Sequence, residues 1–308
     1  MNEKKKGLVI GNCQAQPLSM TLNFYCRDVT FDYFSVHILP AITREEAIEE
    51  FKQSVLDKYH IILAAPLSED FGAISTAHIR ESFPHAHVLS IPNFYFSGLH
   101  PDLTYLGSLG ERIVGPLGDY HSKLAAMGFI QGVPLRELEA LFNGNTYHIA
   151  GYFENYRNSL DELFSREDEV DVKFSSELEG LLTEDHCFFS VNHPTNFLFG
   201  HFVDKLSKVL ADIGLVKRFA WLPHPSTLPN ILSTNNIYPV FPEIAEAHKL
   251  QFEGSYIFKP SFDQSIFNSM GLSEFLAGEY ACFEAFGRDK VTSSTAASNI
   301  ITQLSGAF

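Results

Sequence analysis

The stretch Leu8-Val9-Ile10-Gly11-Asn12-Cys13-Gln14-Ala15-Gln16-Pro17 decides how this chain is read. A short apolar run ends at Gly11. Polar residues then lead to Pro17, which a first helical turn tolerates because its missing N–H has no intrahelical partner to lose. The pattern is strand, glycine turn, helix. Cys13 falls near the amino terminus of that helix, where unpaired N–H groups and the positive end of the helix dipole favour an anion, whether thiolate, carboxylate or phosphate. In open α/β sheets ligands bind beyond the carboxyl ends of the strands, where this turn lies. A small cysteine filling a tight turn would satisfy the same spacing. The amides of Asn12, Gln14 and Gln16 favour a site instead: they are costly in a core without partners and are suited to donate to the oxyanion of an acyl-transfer intermediate.

Outward from this segment, short runs rich in Val, Ile, Leu or Phe predict strands at 7–10, 30–38, 60–64 and 87–91, with helices between them, as in a parallel sheet with crossovers. Thr43 and Glu46 have capping-box spacing ahead of Ala47, Ile48, Phe51 and Val55, which recur at helical intervals. A loop rich in aromatics and glycine follows at 94–110, a length often associated with function. Helical periodicity then spans about 119–130, 135–142 and 147–164, within a helical subdomain of about 116–183. A charged stretch at 166–173 links it to a strand at 187–191 and a helix at about 196–213. Residues 223–242 read as loops, 272–286 as a helix, and the last twenty as a frayed tail or a terminal helix. The expected fold is one α/β domain over 1–308, a three-layer core with a mainly parallel sheet and an inserted or appended helical region.

With 308 residues, 45% hydrophobic and including 28 Phe, the chain can bury a large core. A formal net charge of -15 argues against binding to nucleic-acid phosphates or anionic membranes, while leaving room for a local basic pocket that holds a phosphorylated ligand. Lys4, Lys5 and Lys6 precede too short an apolar run for a signal peptide, and no stretch of about 18 apolar residues predicts a transmembrane helix. Cys13, Cys26, Cys187 and Cys282 are scattered without a C-x-x-C pair, which suits reduced thiols in the cytoplasm.

A cysteine nucleophile needs a base or a cationic neighbour. His193, in Ser190-Val191-Asn192-His193-Pro194-Thr195-Asn196, follows an expected strand and precedes an expected helix, so it could reach the same sheet edge. The same segment also reads as a helix start in which Thr195 or Asn196 caps. His100-Pro101-Asp102 and His224-Pro225 are two more His-Pro pairs, but no histidine pair has zincin spacing and no metal is expected. His121, in Asp119-Tyr120-His121-Ser122-Lys123, is a second candidate for ligand contact, with Asp119 a possible N-cap. Neither a dinucleotide fingerprint nor a P-loop is present.

The Gly11-Asn12-Cys13-Gln14 opening resembles that of the WcbI-like proteins of capsular polysaccharide biosynthesis. The Gly98-Leu99-His100-Pro101-Asp102-Leu103 loop, the Asp119-Tyr120-His121-Ser122 segment and the Asn192-His193-Pro194-Thr195-Asn196 segment look like later motifs of that family, in the same order. The resemblance spans most of the first 200 residues, with no motif to carry over beyond about Phe199. It implies a protein that binds coenzyme A or acetyl-coenzyme A and acetylates a sugar of a surface polysaccharide, with a carbohydrate or activated sugar as acceptor. It would make Cys13 the active-site cysteine and His193 the general base. Asn12 and Gln14 would lie near the acyl oxygen. Arg112, His121, Ser122 and Lys123 would contact the cofactor, and Gln16, Asn93, His100, Asp102, Asn192 and Asn196 the acceptor.

Two other classes stay open: a cysteine-dependent esterase or thioesterase, and a non-catalytic ligand-binding subunit of a polysaccharide assembly complex. Within the acyltransferase class, attack by the Cys13 thiolate and direct transfer to the sugar hydroxyl both fit the residues.

Overall fold

The computed structural model describes residues 5–36, 58–108, 111–217, 224, 227–261 and 268–308. The chain forms two compact units, one comprising Met1–Phe94, Leu163–Leu181 and His193–Asn230, the other Tyr95–Glu162, Leu182–Asn192 and Ile231–Phe308. Residues of the stretch 116–183 are divided between them at Leu163 and again at Leu182.

The first unit is built on β1 (Lys5–Gly11), β2 (Val29–Ser35), β3 (Ile61–Ala64) and β4 (His87–Ser90), a sheet in the order β2-β1-β3-β4 with every pairing parallel. The four expected strands are all present, the second ending at Ser35; positions 37 and 38 of that expected strand lie outside the described residues. Helices α1 (Ala15–Tyr25) and α2 (Thr76–Ser82) belong to the crossovers. The helix expected from the Thr43 and Glu46 capping box also lies outside the described residues.

Leu8, Ile10, Ile62 and Ala64 share one face and pack with Ile79 and Phe83 of the α2 region. Val9, Ile61 and Leu63 alternate onto the other face and are equally buried. Both faces are therefore covered, which is why these strands are continuous apolar runs rather than alternating ones. Each such side chain contributes about 1.5–3 kcal/mol on burial. On this sheet the chain moves outward from β1 to β2, then returns to the other side of β1 to lay down β3, so the direction of winding reverses between β1 and β3. That reversal opens a crevice at the carboxyl ends of these two strands, where Gly11 and Ala64 end them.

A helix not singled out within the expected helical stretch of about 116–183 runs over Ser175–Glu184. Its first N–H groups, those of Phe174 and Ser175, donate to the carboxylate of Glu167, a residue that reads locally as part of a charged linker. The linker is itself tied to β4: the Ser90 N–H donates to Asp171 at 2.6 Å, and Arg80 pairs with the same carboxylate.

In the second unit, helices Lys123–Gln131, Leu272–Phe286 and Thr295–Leu304 pack together. The last of these settles the alternatives for the carboxyl-terminal stretch in favour of a helix. The helix expected at 119–130 begins later, because Ser122 rather than Asp119 caps it by accepting the Ala125 N–H at 3.0 Å. The one expected at 147–164 is two helices, Gly144–Ile149 and Glu154–Arg166, separated at Gly151, whose φ of 70° ends the first turn of chain. Strand Phe188–Ser190 and helix Leu272–Phe286 lie where the sequence placed them.

Candidate functional site

The turn after β1 is held by its own amides. Asn12 Oδ1 accepts the Gln14 N–H at 3.0 Å, and its Nδ2 donates to Asn93 Oδ1 at 2.9 Å. Gln14, buried, uses both ends of its side-chain amide: Nε2 donates to the Phe94 carbonyl at 2.7 Å, and Oε1 accepts the Phe94 N–H at 3.1 Å. The segment beyond β4 is thereby fastened alongside the segment beyond β1. Cys13 stands between these two residues, just ahead of α1, and is partly buried. Pro17 is in the first turn of α1, as its missing N–H requires.

This is the crevice at the switch of winding. A narrow cavity of about 20 Å³ there is lined by Gly11, Asn12, Gln14, Ala65 and Asn93 among others. A larger one, about 160 Å³, shares Pro92, Asn93 and Phe94 with it and continues past Leu163, Arg166 and Phe174. Its wall is mostly apolar, with Asn93, Arg166, Glu167, Glu169 and Ser175 as its polar residues.

Burial pushes the Cys13 thiol up to about 11, despite a hydrogen bond with its own backbone that works the other way. Burial thus acts in the direction opposite to the one that a position ahead of a helix suggests. His193 belongs to the same unit and is buried. Thr195 caps the helix Asn196–Asp212 by accepting the Leu198 N–H. Asn196 is occupied with the chain 228–230: its N–H donates to Asn230 Oδ1 at 2.6 Å and its Nδ2 to the Leu228 carbonyl at 2.8 Å. Gln16 and Asn93 are exposed.

The remaining candidates are in the second unit. Asp102, fully buried, accepts from the hydroxyls of Tyr152 and Tyr238, each at 2.7 Å, and from the Leu124 N–H at 3.0 Å. His100 is buried beside Tyr238 with Nδ1 3.4 Å from the Pro239 carbonyl, and burial depresses its pKa to about 4. Lys123 donates from Nζ to the Pro101 carbonyl at 2.7 Å and lies over the Tyr152 ring; burial lowers its pKa. Asn192 accepts the Tyr120 hydroxyl at 2.8 Å. Arg112 lies over the Tyr105 ring and donates to the Gly107 carbonyl.

His121 is enclosed with Glu279. Nδ1 is 3.1 Å from both carboxylate oxygens, Nε2 is 2.9 Å from the Ile113 carbonyl, and the Ser122 N–H donates to the same carboxylate. Burial works against charge on both partners and pushes Glu279 upward. For His121 burial is outweighed by the Glu279 carboxylate and the Ile113 carbonyl, so its pKa is raised. The imidazole direction governs the pair, because both ring nitrogens face oxygen acceptors. The sequence reading missed Glu279. A signal was available: it sits four residues after Phe275 and four before Phe283, on the buried stripe of a largely apolar helix. The lining by Arg166 and Phe174 was missed because these residues are brought in from about seventy positions downstream of Asn93.

Among the described residues, no group of three or more His, Cys, Asp or Glu side chains is placed to hold a metal ion, and no helix is long and apolar enough to cross a membrane.

No curated protein sequence matches the chain. A solved structure of WcbI, described as a novel polysaccharide biosynthesis enzyme in a native form without a disulfide between coenzyme A and one of its cysteines, superposes with a TM-score of 0.77. It is 20% identical, and the match covers 99% of this chain and 100% of that one, so the α/β fold is shared throughout. The family model for the polysaccharide biosynthesis enzyme WcbI matches residues 6–216, a span that holds the cysteine turn, the brace to Phe94 and His193. The chain belongs to the WcbI family of polysaccharide biosynthesis enzymes.

Proposed function

We propose that this protein is a coenzyme A-binding O-acetyltransferase that modifies a sugar in surface polysaccharide biosynthesis, with Cys13 at its reaction centre. The observation that carries the reading is the placement of Cys13 between two amide residues at the mouth of the β1–β3 crevice. The WcbI structure, described in terms of coenzyme A and one of its cysteines, supports it. The pocket fits the group: Pro92, Phe94, Leu163 and Phe174 offer an apolar wall suited to a pantetheine arm. Acylated coenzyme A supplies a thioester whose carbonyl is open to a hydroxyl.

The residues then act around that carbonyl. Asn12 Nδ2 keeps a second N–H after its bond to Asn93 and is suited to the acyl oxygen. Gln14 holds the opposite wall at fixed distance. In this reading His193 takes the proton of the sugar hydroxyl as its oxygen bonds to the acyl carbon, and returns it to the coenzyme A sulfur as the C–S bond breaks. The raised Cys13 thiol favours direct transfer, with a neutral Cys13 beside the crevice, over a covalent acyl-cysteine. Gln16 and Asn93, both exposed, are suited to the acceptor sugar. The reading places the reaction in the cytoplasm, where thiols stay reduced.

Isothermal titration of the reduced protein with coenzyme A and acetyl-coenzyme A, with Cys13→Ser alongside, tests the proposal. Saturable micromolar binding is expected. Absence of binding to either ligand would overturn it and put an esterase first, to be assayed with activated esters. If both bind, direct transfer predicts that Cys13→Ser still acetylates a sugar acceptor and that mass spectrometry finds no acetyl group on Cys13.

A further inference from the structure

A third cavity, of about 560 Å³, lies wholly within the second unit, where the hairpin strands Gly107–Ser108 and Glu111–Arg112 meet helices Arg288–Ser293 and Thr295–Leu304. Arg112 and Lys290 both line it. The Arg112 guanidinium is positioned by stacking 4.9 Å from the Tyr105 ring centroid and by one bond to the Gly107 carbonyl at 3.1 Å, which leaves most of its five N–H donors uncommitted. Lys290 Nζ is 5.2 Å from the Phe286 ring centroid. Among the described residues neither cation has a carboxylate partner, whereas Arg80, Arg157, Lys173, Lys205 and Lys208 each do.

Ser294, also in the lining, accepts the Ala297 N–H and opens a ten-residue helix, so the positive end of a helix dipole adds to the two cations. In a protein of net charge -15, two cations converge on one roomy, polar cavity with no carboxylate among the described residues bonded to either. Gly107 lets the two strands lie close here: its φ is 84°, and a Cβ would stand 2.3 Å from the Glu111 carbonyl oxygen. Glu111 lines the cavity as well and opposes an anion.

We infer that this cavity binds the phosphate or diphosphate group of a phosphorylated ligand. The volume is that of a small-ligand site, and the guanidinium fork matches phosphate oxygens. Two sources share this chemistry: the phosphates of coenzyme A, and the diphosphate of a nucleotide-activated sugar. The first source rests on the acetyltransferase reading; phosphate recognition itself does not.

The test is titration of the full chain with inorganic diphosphate at low ionic strength, in the wild type and in Arg112→Gln, Lys290→Gln and Glu111→Gln. Saturable binding that weakens with salt is expected, about tenfold weaker in each cation variant, the scale of one charge-assisted hydrogen bond. Glu111→Gln should tighten it several-fold, a result that does not depend on removing any donor and keeps the test decisive should a cation variant misfold. Equal affinities in all four proteins would overturn the assignment. Displacement of diphosphate by coenzyme A but not by uridine diphosphate glucose identifies the cofactor as the source, and the reverse identifies the sugar nucleotide. Displacement by neither overturns the site as one for a phosphorylated ligand. Diphosphate binding that persists while coenzyme A binds nowhere on the protein supports the sugar-nucleotide source and sinks only the acetyltransferase reading.

Discussion

Gln14 and Phe94 exchange two hydrogen bonds, the Gln14 side chain donating to the Phe94 carbonyl at 2.7 Å and accepting its N–H at 3.1 Å. A side-chain amide thus pairs with a backbone amide eighty residues away as a neighbouring strand would. This joins the ends of β1 and β4 across the crevice that β3 leaves open. Gln14→Ala would leave two buried backbone groups unpaired, with a loss on the order of 2–4 kcal/mol. Gln14→Glu should also destabilise, since it places an oxygen against the Phe94 carbonyl. Urea denaturation of both variants checks this; a change below about 0.5 kcal/mol in both, the range of an ordinary surface substitution, would rule out the brace.

Cys13 should react as a shielded thiol. With its pKa pushed up by burial to about 11, alkylation by iodoacetamide should be slow at pH 7.5 and should keep rising up to about pH 11. Peptide mass spectrometry separates it from Cys26, which burial and Asp28 raise to about 12. A midpoint for Cys13 below the ordinary thiol value would show that the helix terminus prevails over burial.

The His121–Glu279 pair makes stability depend on pH in a definite direction. The folded-state pKa of His121 is raised, so its contribution is fully present below the unfolded value of about 6.5 and is lost as pH rises through the folded value. Unfolding free energy measured from pH 6 upward should therefore fall more in the wild type than in His121→Gln, after both are normalised at pH 8. Parallel curves would show that the ring is not protonated in the fold.

Gly115 packs against that same pair. A Cβ built there would stand 2.8 Å from Glu279 Oε1 and 2.8 Å from His121 Cε1. Gly115→Ala should cost about 1–3 kcal/mol through overpacking, read as a lower thermal midpoint. An unchanged midpoint would mean that the pair can shift at little cost.

Asp102 is an acceptor for two tyrosine hydroxyls and a backbone N–H. Asp102→Asn keeps the shape but turns one acceptor into a donor that faces a hydroxyl. It should lower stability by about 1–3 kcal/mol, and Asp102→Ala by more, because all three donors lose their partner. Calorimetric melting distinguishes the two; a melt of Asp102→Ala like that of the wild type would contradict this arrangement.

The local sequence determined what local chemistry controls. The run Leu8 to Ile10, the glycine and the tolerated Pro17 sufficed to place β1, the cysteine turn and α1, because a short apolar run, a glycine turn and proline at a helix start are decided within a few residues. The helix at 272–286 was legible for the same reason. The tertiary structure decided what depends on distant partners. Glu167 starts the helix at 175 from outside it, Glu279 meets His121 across more than 150 positions, and Asn93 and Phe94 complete the crevice only when β4 is laid beside β3. It also sets the surroundings of Cys13: position at a helix terminus is a property of sequence, whereas the burial that raises the thiol is a property of packing.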